Sequence, residues 1–460
     1  MIKHIIAAAV WWLAIAVAFP LYAQQKEHTL GSLWSKVEEN YPGVGVKTSA
    51  IDAARFNQRA VKSHMLPQVN AQAQSTYGTY EGSAGAFFPQ AGFFNVSGSA
   101  VPLDGSTTAA NTFGSAIVQW ELFSFGRRRK QNEAADALYH RSVSEKDAYL
   151  LGLKKTLSER YIALLYNDAK LHWTERNAER LDDIRQITSG LSASGLIPAA
   201  DSLLASSSYV QAMGERDKWT GFRQAAYFKV LELYGDDTVD YIASAIRFGH
   251  PAPQAFNELN RIHPRHPILD ALDKQSDYYT LSGEAQKKAS LPSLNLLGGY
   301  AYRGTGIGPN GRVSGAWRDG FRNTTHNFLA GIGFTWNLTS LHTNRMKSGQ
   351  LFKEAESAQF RRSQYEQAMR ADLSASQAKI TEQSEQLQKT RLAVQQSQDA
   401  YDMYLARYKS GLITLSELLQ IRTLLEQAEN AHIEASREYW ALLAYEAELT
   451  ADFGFLFSNL

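Results

Sequence analysis

Few residues in this chain have the types and spacing to do chemistry. His250, His263 and His266 fall close together among prolines. Imidazoles at that density are candidate metal ligands, and the plainer reading is a solvated loop. Arg127-Arg128-Arg129-Lys130 is a run of four cations, the kind of cluster that holds phosphate or nucleic acid. The familiar reactive constellations are missing: there is no Gly-x-Ser-x-Gly elbow, no His-Glu-x-x-His pair and no cysteine. Without cysteine, a disulfide, a thiolate metal site and a thiol nucleophile are all excluded. The sequence therefore predicts a protein that is not an enzyme, with no catalytic residue, no cofactor and no metal.

Bulk composition narrows the class further. The 460 residues are 44% hydrophobic and 20% charged, with a formal net charge of +1, which gives no reason to expect a nucleic-acid partner. At the N-terminus, Lys3 and His4 precede the uncharged stretch from Ile5 to Phe19, followed by Pro20-Leu21-Tyr22-Ala23. That order is a basic region, an apolar core and a small-residue cleavage site, predicting a signal peptide over 1–23. No later segment comes near a membrane-crossing helix, so any insertion of the exported protein must use strands.

The elements that position these residues come in two copies. Leu66-Pro67, Trp120-Glu121-Leu122 and Ser194-Gly195-Leu196-Ile197 are followed in the same order by Leu291-Pro292, Trp336-Asn337-Leu338 and Ser410-Gly411-Leu412-Ile413. The tryptophans and the Ser-Gly-Leu motifs are both offset by 216, and the Leu-Pro pairs by 225. Such matched spacing predicts an internal duplication. Each half reads as helix, strand, loop, strand, very long helix, tight turn, long helix. The halves span 24–235 and 268–454, separated by a segment at 236–267 and closed by a tail at 455–460.

Long helices are predicted over 127–234 and 342–452, broken only at the Ser-Gly-Leu turns. From Arg127 to Ser189 there is no proline and one glycine, and from Gln350 to Ser410 there is neither. Sixty residues at ~1.5 Å each make a rod of roughly 90 Å. In the last rod Leu424, Ala428, Ala431 and Ala435 recur at three- and four-residue spacing, predicting a small-residue stripe for close helix packing. Such helices alone would also suit a structural, envelope-spanning coiled coil.

The strands argue against that alternative. At about 68–80 and 113–123, Asn70, Gln72, Gln74 and Thr76 alternate with Val69, Ala71 and Ala73, and Val118, Trp120 and Leu122 with Gln119 and Glu121. At about 292–302 and 327–338, Leu294, Leu296, Tyr300 and Tyr302 share one face, as do Phe328, Ala330, Ile332, Phe334, Trp336 and Leu338. Period-two patterning over about ten residues is the signature of a membrane barrel strand. Trp120, Trp336 and Tyr302 at strand ends suit an interfacial girdle, and Arg127 and Arg128 then fall at headgroup level. Glu81 to Thr112 and Arg303 to His326 become external loops. Four strands are too few to close a barrel. Two chains would give eight strands with a filled interior, and three would give twelve with a lumen, which a conduit requires.

The Leu-Pro openings, Leu122-Phe123-Ser124-Phe125-Gly126-Arg127, and above all Tyr408-Lys409-Ser410-Gly411-Leu412 followed by Glu417, Leu418 and Leu419 resemble the TolC outer-membrane efflux family over about 30–454. The resemblance implies an α + β membrane protein: a homotrimer with a twelve-stranded outer-membrane barrel, four strands per chain, continuing into a periplasmic helical coiled-coil barrel. It implies an exit duct that docks on a periplasmic adaptor and an inner-membrane transporter, or a type I secretion channel of the same fold. A small equatorial domain would comprise 236–267 and the C-terminal tail. By the same resemblance, Ser194, Gly195, Leu196, Ser410, Gly411 and Leu412 would meet the adaptor. Asp201, Glu417 and Gln420 would stand where the family narrows its periplasmic entrance, although acids there also simply complement a helix N-terminus. Some relatives are lipoproteins. This chain lacks the cysteine for acylation, so an unlipidated protein of the Gram-negative outer membrane is expected.

Overall fold

The computed structural model describes residues 29–79, 103–235, 248–249 and 262–460. The expected signal peptide at 1–23, most of the first loop, and nearly all of 236–261, His250 included, lie outside these residues. In chain order the elements are α1 (Leu30–Asn40), α2 (Pro42–Ser63), β1 (Gln68–Thr79), β2 (Asp104–Gly105), β3 (Thr108–Phe123), α3 (Arg127–Ala193), α4 (Ala199–Tyr234), α5 (Pro267–Lys288), β4 (Ser293–Thr305), β5 (Arg312–Val313), a 3-10 turn (Trp317–Phe321), β6 (Thr325–Thr335), α6 (Ser340–Lys409), α7 (Leu415–Thr450) and α8 (Gly454–Asn459). The chain forms two compact units, one built from 1–47, 146–269 and 364–460, the other from 48–145 and 270–363.

The first unit is helical. In α1, Leu30, Leu33, Trp34 and Val37 repeat at helical spacing and are all buried, and the Thr29 hydroxyl caps the first turn by accepting from the Ser32 N–H. They join Leu157, Tyr161, Leu164 and Leu165 of α3, Trp440, Leu443 and Ala444 of α7, and Leu456 and Leu460 at the C-terminus. Trp440 is 0% exposed, and its indole donates to the Phe248 carbonyl at 3.0 Å. The expected tail is thus a short helix seated in the core, with Phe457 stacked on Trp34 at 6.3 Å.

The buried stripe of α7 differs from the expected one. Leu418, Leu425, Glu429, Ile433, Ser436 and Trp440 face inward, whereas Leu424 is 51% exposed. Of the four residues read as a packing stripe only Ala435 is buried. The reason is that two polar residues ride inside, each with a partner. Arg180 grips Glu429 with two nitrogens at 2.6 and 3.0 Å, and Ser436 donates back to the His432 carbonyl. A buried carboxylate gripped through both oxygens by arginine has its hydrogen-bonding capacity met, and hydropathy alone cannot see that pairing.

His266 corrects a second expectation. It is not in a solvated loop but fully buried, with Nε2 at 3.0 Å from the Glu448 carbonyl. Its Nδ1 has no hydrogen-bond partner among the described residues. Burial pushes its pKa below the ordinary histidine value, and the Glu448 carbonyl opposes that only in part.

The second unit carries a four-stranded antiparallel sheet in the order β1-β3-β4-β6. β3 begins at Thr108, inside what reads from sequence as loop, and β6 stops at Thr335, short of Leu338. The early stop has a local cause. The Asn337 side chain accepts from the Ser340 N–H at 3.2 Å and so opens α6 in place of extending the strand. The connection from β4 to β6 carries regular structure, with β5 pairing in parallel with β2 and a 3-10 turn following.

His266 yields a pH prediction. A buried imidazole with a lowered pKa favours the native state when neutral, so its contribution is present above the ordinary histidine pKa and is lost as pH falls through the lowered native value. Thermal unfolding followed by circular dichroism should show lower stability at pH 5 than at pH 7.5. His266→Gln should flatten that difference; an unchanged pH profile in the variant would remove His266 as its cause.

Candidate functional site

Directly opposed residues of paired strands lie on the same face of a sheet, so the observed register sorts every strand residue. One face collects Val69, Ala71, Ala73 and Tyr77 of β1, Ala116, Val118 and Trp120 of β3, Leu296, Tyr300 and Tyr302 of β4, and Phe328, Ala330, Ile332 and Phe334 of β6. The other takes Asn70, Gln72 and Gln74, then Ser115 and Gln119, then Asn295 and Arg303, then Asn327, Gly331 and Gly333. It also carries Phe113, Ile117, Leu297 and Leu329, so it is the more polar face but a mixed one. Phe328, Ile332 and Phe334 are among the most exposed large apolar side chains in the chain. An apolar sheet face of this size open to the surroundings is suited to hydrocarbon. Among the described residues, the outer edges of β1 and β6 pair with no strand.

At the strand–helix junctions the two tryptophans do matching work. Trp120 donates its indole N–H to the Met65 carbonyl at 2.9 Å, and Trp336 to the Ser290 carbonyl at 3.1 Å. Met65 and Ser290 are the residues just before the two Leu-Pro openings, so each bond ties the end of a half's second strand to the start of its first. Tyr302 sits near the opposite, loop end of the sheet, with its ring 5.5 Å from that of His326. Arg127 and Arg128 both turn to Glu121, at 2.5 and 3.5 Å, while Arg129 and Lys130 hold Glu133 at 2.8 Å each. Lys130 also reaches Glu284 at 2.6 Å. All four cations of the run thus have internal carboxylate partners.

The two Ser-Gly-Leu motifs make the same turn. Gly195 and Gly411 both have φ of +72°, a conformation that costs an L side chain energy. Leu196 donates back to the Leu191 carbonyl and Leu412 to Arg407, while Gly195 and Gly411 donate to Ser192 and Tyr408. This double bond pattern is the Schellman stop of a helix. Usually the residue after the glycine folds onto the helix, yet here Leu196 is 72% exposed and Leu412 70%. Behind the tips Ile184, Ala205, Tyr401, Tyr408, Leu415 and Leu418 share one core, so the structure brings the two turns together.

The acids expected near an entrance sit in the first turns of α4 and α7. Glu417 accepts from the Thr414 N–H at 2.7 Å and from its hydroxyl at 2.9 Å, while the Glu417 N–H donates to the Thr414 hydroxyl at 3.3 Å. These bonds form a capping box, and the Thr414 N–H and hydroxyl lower the Glu417 pKa. Asp201 has no such cap. Its charge adds to the burial that pushes the Tyr408 phenol up. Gln420 is exposed one turn further on. The capping box was legible as Thr-x-x-Glu at 414–417, a signal that reading Glu417 as a pore residue passed over.

Residues 33–235 and 262–444 match the sequence profile of the family described as outer membrane efflux protein. The chain belongs to that family. Its channels are of the TolC type, and the long helices joined to a four-stranded sheet are the efflux-family fold. No curated protein matches the sequence. Among solved structures, the outer membrane protein VceC from Vibrio cholerae is similar over 92% of this chain and 96% of its own, with 14% identity and a TM-score of 0.71. The Campylobacter jejuni outer membrane channel CmeC matches over 94% and 87%, with 13% identity and a TM-score of 0.71. The open state of the Neisseria gonorrhoeae outer membrane channel MtrE matches over 92% and 89%, with 17% identity and a TM-score of 0.68. At such identities the likeness concerns the fold.

The positive φ at the tip of this efflux-family chain can be tested directly. Gly411→Ala should cost about 1–2 kcal/mol locally. Hydrogen exchange at the Leu412 amide should then accelerate by roughly tenfold while exchange in the α7 core stays unchanged. Equal protection in both proteins would mean the turn is not under that constraint.

Proposed function

We propose that this protein is the outer-membrane exit duct of a tripartite efflux pump, conducting substrate passively once docked to a periplasmic adaptor and an inner-membrane transporter. The observation that carries this reading is the sheet: one apolar face, one face rich in amide side chains, and two edges that find no partner within the described chain. In a bilayer such edges must be paired, and three chains contribute enough strands for a closed barrel with a water-filled lumen. The polar face, with Gln72, Gln74 and Asn327, then lines the lumen. Leu424 and the other α7 residues left exposed become contacts between neighbouring subunits. The two halves, each with its tryptophan bond and its Schellman tip, are copies of one duplicated unit.

The tips are the docking end. Leu196 and Leu412 project from rigid turns and suit an apolar contact with an adaptor, with Ser194, Gly195, Ser410 and Gly411 as the backbone beneath. Asp201 and Glu417, once per hairpin in each subunit, ring the entrance at the same level as Gln420. Trp120, Trp336, Tyr302, Arg127 and Arg128 mark the limits of the membrane. The unlipidated chain follows from export through the 1–23 signal peptide, with no cysteine to acylate.

Imaging the detergent-extracted protein in negative stain, with mass from light scattering, tests the duct. A threefold particle with a detergent disc on a tube roughly 100 Å long is expected; a monomer, or a rod without a disc, would defeat the proposal. The entrance ring has its own test in planar bilayers, since carboxylate rings favour cations. Asp201→Ala with Glu417→Ala should reduce cation selectivity or divalent block, and unchanged conductance, selectivity and block would remove the ring while leaving the duct intact.

A further inference from the structure

The connection between β4 and β6 folds back on the sheet, and on one side only. Its 3-10 turn packs where side chains are missing: a Cβ on Gly320 would lie 2.8 Å from that of Ala110, and one on Gly304 would lie 2.6 Å from the Gly320 carbonyl oxygen. Ala110 and Gly304 belong to the apolar face, in register with Tyr77 and Thr112. The Trp317 ring lies 6.4 Å from that of Tyr77, whose hydroxyl donates to the Gly315 carbonyl at 2.9 Å. Two backbone bonds strap the loop down, Thr305 N–H to the Arg322 carbonyl at 2.8 Å and Gly306 N–H to the Ala110 carbonyl at 2.9 Å. The turn is therefore fixed against the outside of the sheet at its loop end and does not stand over the polar face.

What this turn displays is specific in kind. Trp317 and Phe321 are each about half exposed, at 50% and 51%. Between and beside them stand Arg318 and Arg322, both exposed. Asp319 is the acid of the turn; it meets Arg322 at 3.2 Å and accepts from the Ser314 hydroxyl at 2.5 Å. Arg318 makes no ion pair or hydrogen bond with any described residue. Two aromatic rings with a guanidinium that no described residue engages, held at the rim of an apolar face, combine a surface for acyl chains with a fork for phosphate. Tyr300, Tyr302 and His326 continue the aromatic band beneath, with the Tyr300 hydroxyl 2.5 Å from His326 Nδ1.

We propose that the 317–322 turn is a seat for the phosphate-bearing headgroup of an outer-leaflet lipid: Arg318 and Arg322 take the phosphate, and Trp317 and Phe321 lie against the first carbons of the acyl chains. This rests on the reading of the apolar face as the lipid face. The surface is not a general anion site, because the aromatics give it an apolar half that a free ion would leave unused.

Native mass spectrometry of the oligomer in non-ionic detergent, titrated with diphosphoryl lipid A and with zwitterionic phosphatidylcholine, tests the seat. The wild type should retain lipid A in preference to phosphatidylcholine. Each arginine near an anionic surface is worth roughly fivefold, so Arg318→Gln with Arg322→Gln should weaken lipid A by roughly twentyfold. Trp317→Ala should weaken it several-fold, and Lys389→Gln, on an exposed helical stretch, should change nothing. Inorganic phosphate in excess should not displace the lipid; displacement would indicate a free-anion site and overturn the proposal. Retention by the double variant within twofold of wild type overturns it as well. If that variant also carries a normal detergent disc, only the headgroup seat falls. A wild type with neither disc nor bound lipid overturns the lipid-face reading beneath it.

Discussion

An N–H or C=O group at a sheet edge has two acceptable surroundings, water or another strand, and hydrocarbon supplies neither. That constraint governs this chain more than any single contact does. Its sheet has an apolar face suited to lipid and two edges, β1 and β6, with nothing beside them among the described residues. A protein with such a sheet is incomplete as one copy. On the lipid-face reading, hydrogen-bond accounting calls for further copies, and the lumen that a duct needs is what sets the proposed number at three.

The helical unit meets a related demand by different means. Alongside its apolar core, the unit carries polar side chains inward with their partners. Arg180 with Glu429 is one such pair. Lys170 is another: nearly buried, it pairs with Glu434 at 2.8 Å and lies 5.2–5.4 Å from the rings of Tyr166, Trp173 and Trp219. Breaking one partner of such a group leaves a charge with poor solvation, which costs more than the pair itself contributes. The arrangement favours one helix register over its neighbours, because a slip would strand several charges at once.

The broad plan was legible because it depends on periodicity. Period-two alternation placed the four strands and their faces, the scarcity of glycine and proline marked the long helices, and Gly195 and Gly411 marked the turns. What escaped depends on partners distant in sequence. His266 is buried with its Nε2 on the carbonyl of Glu448, 182 positions away, and Tyr77 reaches Gly315 across 238 positions. Glu429 reads as surface until Arg180 is seen beside it, which is why the face that α7 turns into its own chain is not the one its small residues mark. The strand end at Thr335 was a nearer miss. Asn337 is a good helix cap, but aromatic alternation at Phe334 and Trp336 outweighed it.

Each tryptophan bond is closed within its own half, Trp120 to Met65 and Trp336 to Ser290. For protein engineering the bond therefore marks a seam. A half excised at these junctions and grafted into another chain would take its own clasp along, so recombination between such chains should tolerate crossovers in the connection between halves far better than crossovers within a strand pair.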